Sequence, residues 1–176
     1  MLSMIVTVDR NWAVSNDHKP LITIPDDLKF IRDTTYGKVV LVGKHTFESL
    51  FNSRPLANRI MIVVTKDENY EAQGATVVHS TTQAVLAAEK YNGKDIYVLG
   101  GRKLYTDLLP ICDEVHLTYV DYNYSADSYF PNLDKKPEWV LVEESEEQTL
   151  FEMKLNLTHE QQAKTHLIEK LAPLGD

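Results

Sequence analysis

Cysteine occurs once in the 176 residues, at Cys112, so the chain can close no internal disulfide, which fits a reducing cytoplasm. Its surroundings, LLPICDEV, supply no activating base, and the residue reads as a packed thiol rather than a nucleophile. Positive charge is scarce as well: 18 Lys and Arg stand against 26 Asp and Glu, a formal net charge of −8. Phosphate backbones need a basic surface, so nucleic acid is not expected as a partner. No apolar run approaches the ~20 residues of a membrane span. The first residues, MLSMIVTVDR, lack the positive region of a signal peptide and run straight into a strand pattern. Repeats, Gly/Ser linkers and low-complexity stretches are missing. The six histidines show no short metal-ligand spacing and have no cysteine partners, so no metal is expected. A G-x-S-x-G nucleophile elbow is missing too. What is there, 43% hydrophobic and 25% charged residues, is the composition of one globular domain able to bury a core.

Apolar, β-branched runs alternate with helical patterns. The pattern predicts strands over Met4–Val8, Lys38–Val42, Arg59–Thr65, Thr76–Val78, Asp95–Leu99 and Glu114–Val120. It predicts helices over Pro25–Thr35, His45–Phe51, Thr81–Tyr91 (capped by Ser80 or Thr81) and Arg102–Leu109. Open alternation at Trp139–Glu143 and Leu150–Leu157 predicts a hairpin with Phe151, Met153, Leu155 and Leu157 on one face. After it, Thr158 and Gln161 have capping-box spacing, and Ala163, Leu167, Ile168 and Leu171 form an apolar stripe. A final helix is therefore expected, packed on its own domain or, as the alternative, joining two copies. The fold class is α/β: a single domain over residues 1–157 with a central, mostly parallel sheet, an antiparallel C-terminal hairpin and flanking helices, then a helical extension over 158–176.

Three strand ends and one helix start carry the candidate chemistry. In IPDDLKFI a proline suits the first helical position, and first-turn acids suit the helix dipole, so Asp26 and Asp27 need no function to explain them. Helical spacing nevertheless sends Asp26, Lys29 and Asp33 outward and turns Asp27, Phe30, Ile31 and Thr34 toward the body of the protein. A carboxylate beside apolar side chains loses solvation and rises in pKa, which suits acid–base work. In LVGKHTFES a buried strand passes through Gly43 into a helix beginning Lys44, His45 and Thr46, a phosphate cradle in outline. YVLGGRKLY repeats the arrangement at Gly100–Gly101, followed by Arg102, Lys103 and Leu104. Ligands of open α/β sheets bind beyond the carboxyl ends of strands, so two cradles at one edge reinforce each other. Neither matches the six-residue dinucleotide fingerprint, which disfavours a standard Rossmann dehydrogenase. Thr65 and Lys66 end a further strand, where they read equally as a phosphate contact or a charged turn.

These pieces, in this order, resemble the dihydrofolate reductase family over about residues 1–157. The carriers are MIVTVDR, IPDDLKFIRDTTYGKVVLVGKHTFESL, SRPLANRIMIVVTK, IYVLGGRKLYTDLLP and VHLTYVDYNYSADSYFP. The resemblance implies hydride transfer from NADPH to 7,8-dihydrofolate, giving tetrahydrofolate. It implies that Asp27 hydrogen-bonds the pterin amino group and ring nitrogen and promotes protonation of N5, with the Thr118 hydroxyl supporting it. Ile5, Val6, Leu28, Ile31, Leu50 and Leu99 are then the pterin and aminobenzoyl pocket, and Arg59 the partner of the glutamate α-carboxylate. Gly43, Lys44, His45 and Thr46, with Gly100, Gly101, Arg102, Lys103 and Leu104, would hold the phosphates and nicotinamide half. Lys44, Thr65 and Lys66 would meet the 2′-phosphate. The family's Gly-Gly peptide is typically cis.

The sequence also departs from the family's pattern. The G-x-N-x-L-P-W segment of its mobile loop is AVSNDHKPLITIP here, with Ser15 at the glycine position and Ile22 at the tryptophan position. Ile31 stands where phenylalanine is frequent, and Lys44 where arginine is usual. Two rivals follow from the same residues. A reductase of riboflavin biosynthesis shares fold and NADPH, but Asp27 and Arg59 favour dihydrofolate over it. A degenerate folate-binding member is suggested by the loop and opposed by the retention of Asp27, Thr118 and both cradles.

Overall fold

A computed structural model describes residues 1–144, 148–150 and 161–170. Its strands are β1 (Leu2–Val8), β2 (Ala13–Asn16), β3 (Lys19–Pro20), β4 (Val39–Gly43), β5 (Ile60–Val64), β6 (Thr76–Val78), β7 (Ile96–Val98), β8 (Glu114–Val120), β9 (Ser128–Tyr129), β10 (Trp139–Glu144), β11 (Gln148–Leu150) and β12 (Gln161–Lys170). Helices α1 (Pro25–Thr35), α2 (Lys44–Phe51), α3 (Thr81–Glu89) and α4 (Arg102–Leu108) connect them. One sheet runs β10-β12-β8-β1-β7-β4-β5-β6, and β2, β3 and β9 form a small second sheet. From β8 to β6 every pairing is parallel, while β12 pairs antiparallel with β8, β10 and β11.

Both faces of the parallel part are buried, which is why its strands read as continuous apolar runs. Successive side chains alternate between faces. Met4, Val6, Val39, Leu41, Ile62 and Val98 pack with Ala84, Ala88, Leu104 and Leu108 of α3 and α4. Ile5, Val40, Val42, Met61, Val63 and Leu99 pack with Ile31 of α1 and Phe47 of α2. Parity therefore puts Thr7, two residues beyond Ile5, on the α1 side of β1. The Ser80 hydroxyl caps α3 by accepting from the Gln83 N–H, as expected of that residue type. At the outer face of α1, Lys29 and Asp33 form an i,i+4 pair at 2.8 Å.

The C-terminal expectation is overturned. Residues 161–170, predicted to lie in a helix, form β12, and the register sets Thr165 opposite Thr118 and Ile168 opposite Val115. The edge of β8 exposes a row of backbone donors and acceptors that an added strand satisfies. Ile168 enters the core beside Val115, Leu117 and Trp139. A stripe of four apolar residues is a weak local preference, and such tertiary pairing overrides it. The hairpin changes with it: Trp139–Glu144 pairs with β12, and residues 151–157 of the predicted second strand lie outside the described residues. Strands β2, β3 and β9 are too short to show a period and were not anticipated. Among the described residues, no helix is long and apolar enough to cross a membrane.

Candidate active site

The carboxyl ends of β1, β4, β5 and β7 open into one cavity of about 850 Å³. Strand β7 lies between β1 and β4 in the sheet but follows both in sequence, so connections leave its two sides in different directions and a crevice opens there. At one end stands Asp27 in the first turn of α1, two residues after Pro25. Thr118 Oγ1 donates to Asp27 Oδ1 and Thr7 Oγ1 to Oδ2, both at 2.9 Å. The two threonines are register partners on the neighbouring parallel strands β1 and β8. Burial pushes the Asp27 carboxyl above its usual range; the Thr118 and Thr7 hydroxyls pull it back, and nearby Asp26 raises it again. Around it, Ile5, Val6, Leu28, Ile31, Leu50 and Leu99 form apolar wall.

The other end is built from glycine. Gly43 is the N-cap of α2, and its N–H donates to Gly100 O at 2.6 Å. A Cβ on Gly43 would lie 3.0 Å from the Gly101 nitrogen, and Gly100 has φ +108°, a backbone region L side chains rarely adopt. The Gly100–Gly101 peptide is cis. Two strand-to-helix turns thus touch backbone to backbone, with His45, Thr46, Arg102, Lys103 and Leu104 following into the cavity wall. Lys44 and Lys66 bring positive charge to this end. Lys44 Nζ sits 3.9 Å from Asp67 and 4.9 Å above the Tyr70 ring. Thr65 Oγ1 accepts from the Asp67 N–H at 3.1 Å. Free backbone N–H groups at a helix start, space that a side chain would fill, and two lysines suit a phosphorylated dinucleotide.

The family model of dihydrofolate reductase matches residues 1–164. This chain belongs to the dihydrofolate reductase family. It is 35% identical over 142 residues to the dihydrofolate reductase of Bacillus subtilis (strain 168), covering 81% of this chain and 82% of that protein. With the type 3 dihydrofolate reductase of Salmonella typhimurium it shares 32% over 132 residues, 75% of this chain and 79% of the relative. Among solved structures, dihydrofolate reductase from Enterococcus faecalis complexed with NADP(H) and RAB-propyl superposes with a TM-score of 0.79 at 28% identity, covering 97% of this chain and 96% of that one.

Against this family frame, most of the residues singled out in the sequence line the one cavity. Thr118 stands behind the wall, 7% exposed, and reaches the cavity through Asp27. Arg59 does not line it. Its guanidinium donates to Thr35 Oγ1 at 3.3 Å and to the carbonyls of Ala57 and Arg32, and it lies 5.2 Å from the Tyr36 ring. Phe30, expected to face inward, is 39% exposed and leans on His116, ring centroids 5.2 Å apart. Cys112 is packed as expected: Sγ reaches the carbonyl oxygens of Leu2 and Glu114, and burial pushes its pKa up to about 12.

Sequence reasoning missed three contributors. Thr7 carried a signal, a hydroxyl on the same strand face as Ile5, but its partner is set by register with a distant strand. Asp9, 1% exposed, accepts backbone N–H bonds from Asn11, Ala13 and Tyr124 and ties the loops beside the cavity together. His18, in the turn between β2 and β3, stacks on His45 with centroids 4.1 Å apart. Asp17 and His18 take the positive φ values of that turn, whereas Ser15 pairs with Pro20 inside the small sheet. The serine at the family's glycine position therefore carries no backbone strain.

Proposed function

We propose that Asp27 is the proton-handling group of an NADPH-dependent dihydrofolate reductase, with the substrate ring against Asp27 and the cofactor phosphates in the Gly43 and Gly100–Gly101 cradles. Bound NADPH supplies the hydride for C6 of dihydrofolate. The chain's own residues do the rest. Asp27 accepts from the pterin amino group and ring nitrogen and promotes protonation at N5. Its raised pKa brings it closer to the pH at which it works, where general acid–base groups are most effective. Thr118 holds one carboxylate oxygen from behind. The apolar wall excludes water, so the charge on Asp27 acts in a medium of low dielectric.

At the entrance, Arg59 is the reading for the glutamate α-carboxylate. Three anchors hold its guanidinium at the C-terminal end of α1. A guanidinium has five N–H donors, so a planar edge remains for a ligand carboxylate. Lys44, Thr65 and Lys66 are the reading for the 2′-phosphate. With a single, buried cysteine, a monomer working in a reducing cytoplasm fits the chain.

The observation that carries this reading is the buried carboxylate, each oxygen capped by a hydroxyl, at the apolar end of a cavity whose far end is a glycine cradle. The test is loss of reduced-nicotinamide absorbance with and without dihydrofolate, in the native chain and in Asp27→Asn. Substrate-dependent oxidation that falls sharply in the variant supports it. Binding of both ligands without turnover would favour a degenerate, folate-binding member instead.

A further inference from the structure

Asp27 meets two hydroxyls, and they are not equivalent. Thr118 stands behind the cavity wall, whereas Thr7 is part of it. Strand register holds the pair side by side, separated by the spacing of neighbouring strands, roughly 4.8 Å. A carboxylate straddling that gap receives one donor on each oxygen, and this is the arrangement observed, at 2.9 Å to Oδ1 and 2.9 Å to Oδ2. We propose that Thr7 is a positioning residue of this site, which with Thr118 clamps Asp27 by both oxygens and fixes the edge it turns toward a bound pterin. The inference rests on the reading of Asp27 given above.

Two consequences follow. The terminal torsion of an aspartate is broad and roughly two-fold, so a single donor leaves the carboxylate free to swing about the held oxygen. A second donor on the other oxygen removes that freedom. A threonine hydroxyl also has one hydrogen and two lone pairs. With the hydrogen committed to Asp27, Thr7 can only accept from whatever lies beside it in the cavity. It therefore favours a ring that presents an N–H or amino group there over one that presents a carbonyl oxygen. Hydrogen bonds to the ionised form also hold a carboxyl's pKa down against burial.

Ionisable groups on the elements packed around this point are Asp26 on α1, Asp9 after β1, Glu114 and His116 on β8, and His18 and His45 across the cavity. All of them are present in both test variants, so a difference between the variants isolates the hydroxyl. Thr7→Val keeps the β-branched shape and removes the donor; Thr7→Ser keeps the donor. In carbon-13 aspartate-labelled protein, the Asp27 carboxyl resonance is assigned by its loss in Asp27→Asn and then titrated. The same variants are followed by single-turnover hydride transfer from NADPH to dihydrofolate as a function of pH. Thr7→Val is expected to move both the resonance midpoint and the rate profile to higher pH by about one unit, and Thr7→Ser to restore both. An Asp27 midpoint that is the same in native protein and Thr7→Val overturns the clamp, whatever happens to thermal stability. A midpoint that moves while the rate profile stays fixed supports the clamp and overturns Asp27 as the proton-handling group.

Discussion

At the Asp27 end of the cavity the working atoms belong to side chains, whereas at the Gly43–Gly101 end they belong to the backbone. The first end depends on a carboxylate and two hydroxyls brought from α1, β1 and β8. The second depends on the lack of a Cβ, since adding one at Gly43 would meet Gly101 at 3.0 Å. The two ends should therefore fail in opposite ways. Removing a few atoms should disable the proposed substrate end while leaving the fold intact. Adding a single carbon should damage the proposed cofactor end, and there the fold is touched as well.

The largest effect expected is at Asp27. Asp27→Asn should lose ~10²- to 10⁴-fold in turnover at neutral pH, the range for a general acid–base group, with the fold preserved by circular dichroism. Stability should move the other way. Burial raises the folded pKa of Asp27 above its unfolded value, so keeping it ionised costs stability once pH exceeds the folded value. Below the unfolded value, about 3.9, both states are protonated and the cost vanishes. The thermal midpoint of Asp27→Asn should thus exceed the native one at neutral pH and converge with it in acid. Near-native rates in the variant from about pH 5 to about pH 9 would break the assignment.

Arg59 sharpens the contrast, because it is a side chain proposed to serve the substrate from outside the main cavity. Arg59→Leu should weaken dihydrofolate by ~1.5–3 kcal/mol, as for a hydrogen bond to a charged group. A folate analogue lacking the glutamate should bind almost unchanged. Equal losses for both ligands, measured by fluorescence titration, would make Arg59 a structural anchor for the end of α1 only.

Gly43→Ala tests the backbone end. Overpacking against Gly101 should cost ~1–3 kcal/mol, read as a lowered thermal midpoint together with a raised KM for NADPH. An unaltered KM for dihydrofolate in the same variant would show that the two ends are separable. A native KM for NADPH would show that the cradle tolerates a side chain.

The smallest effect is expected at the rim of the cradle, where charge is partly exposed. Replacing Lys44 and Lys66 by alanine should raise the KM for NADPH by roughly tenfold, about 1.4 kcal/mol in all, and leave that for NADH nearly unchanged. Lys44 already faces Asp67 at 3.9 Å, which limits what its removal can change. Equal losses for the two cofactors would detach these lysines from the 2′-phosphate.

The contrast between the two ends also divides what could be read from the chain alone. The cradle was legible because its signal is short: an apolar run, a glycine and a helix start fall within a few residues, as at Leu41–Thr46 and Tyr97–Leu104. Helix α1 was legible to the residue, Pro25–Thr35, since its proline, first-turn acids and apolar spacing all act locally. The same spacing turned Asp27 inward, although Phe30 on the same side ended 39% exposed because helical period gives a direction and not a depth.

What only the tertiary structure decided are the relations between distant segments. Thr7 and Thr118 become a pair through strand register, and no local rule links two threonines so far apart in the chain. The anchoring of Arg59 on the Arg32 carbonyl and the Thr35 hydroxyl of α1 needs the approach of α1 to the start of β5. The change of residues 161–170 from expected helix to β12 has the same origin. A four-residue apolar stripe is worth a few tenths of a kcal/mol per residue in helix preference. The edge of β8 offers a partner for a whole row of backbone hydrogen bonds and a place in the core for Ile168. Local preference sets what a segment can be, and where an open edge and a core site compete for it, burial and backbone pairing set what it becomes.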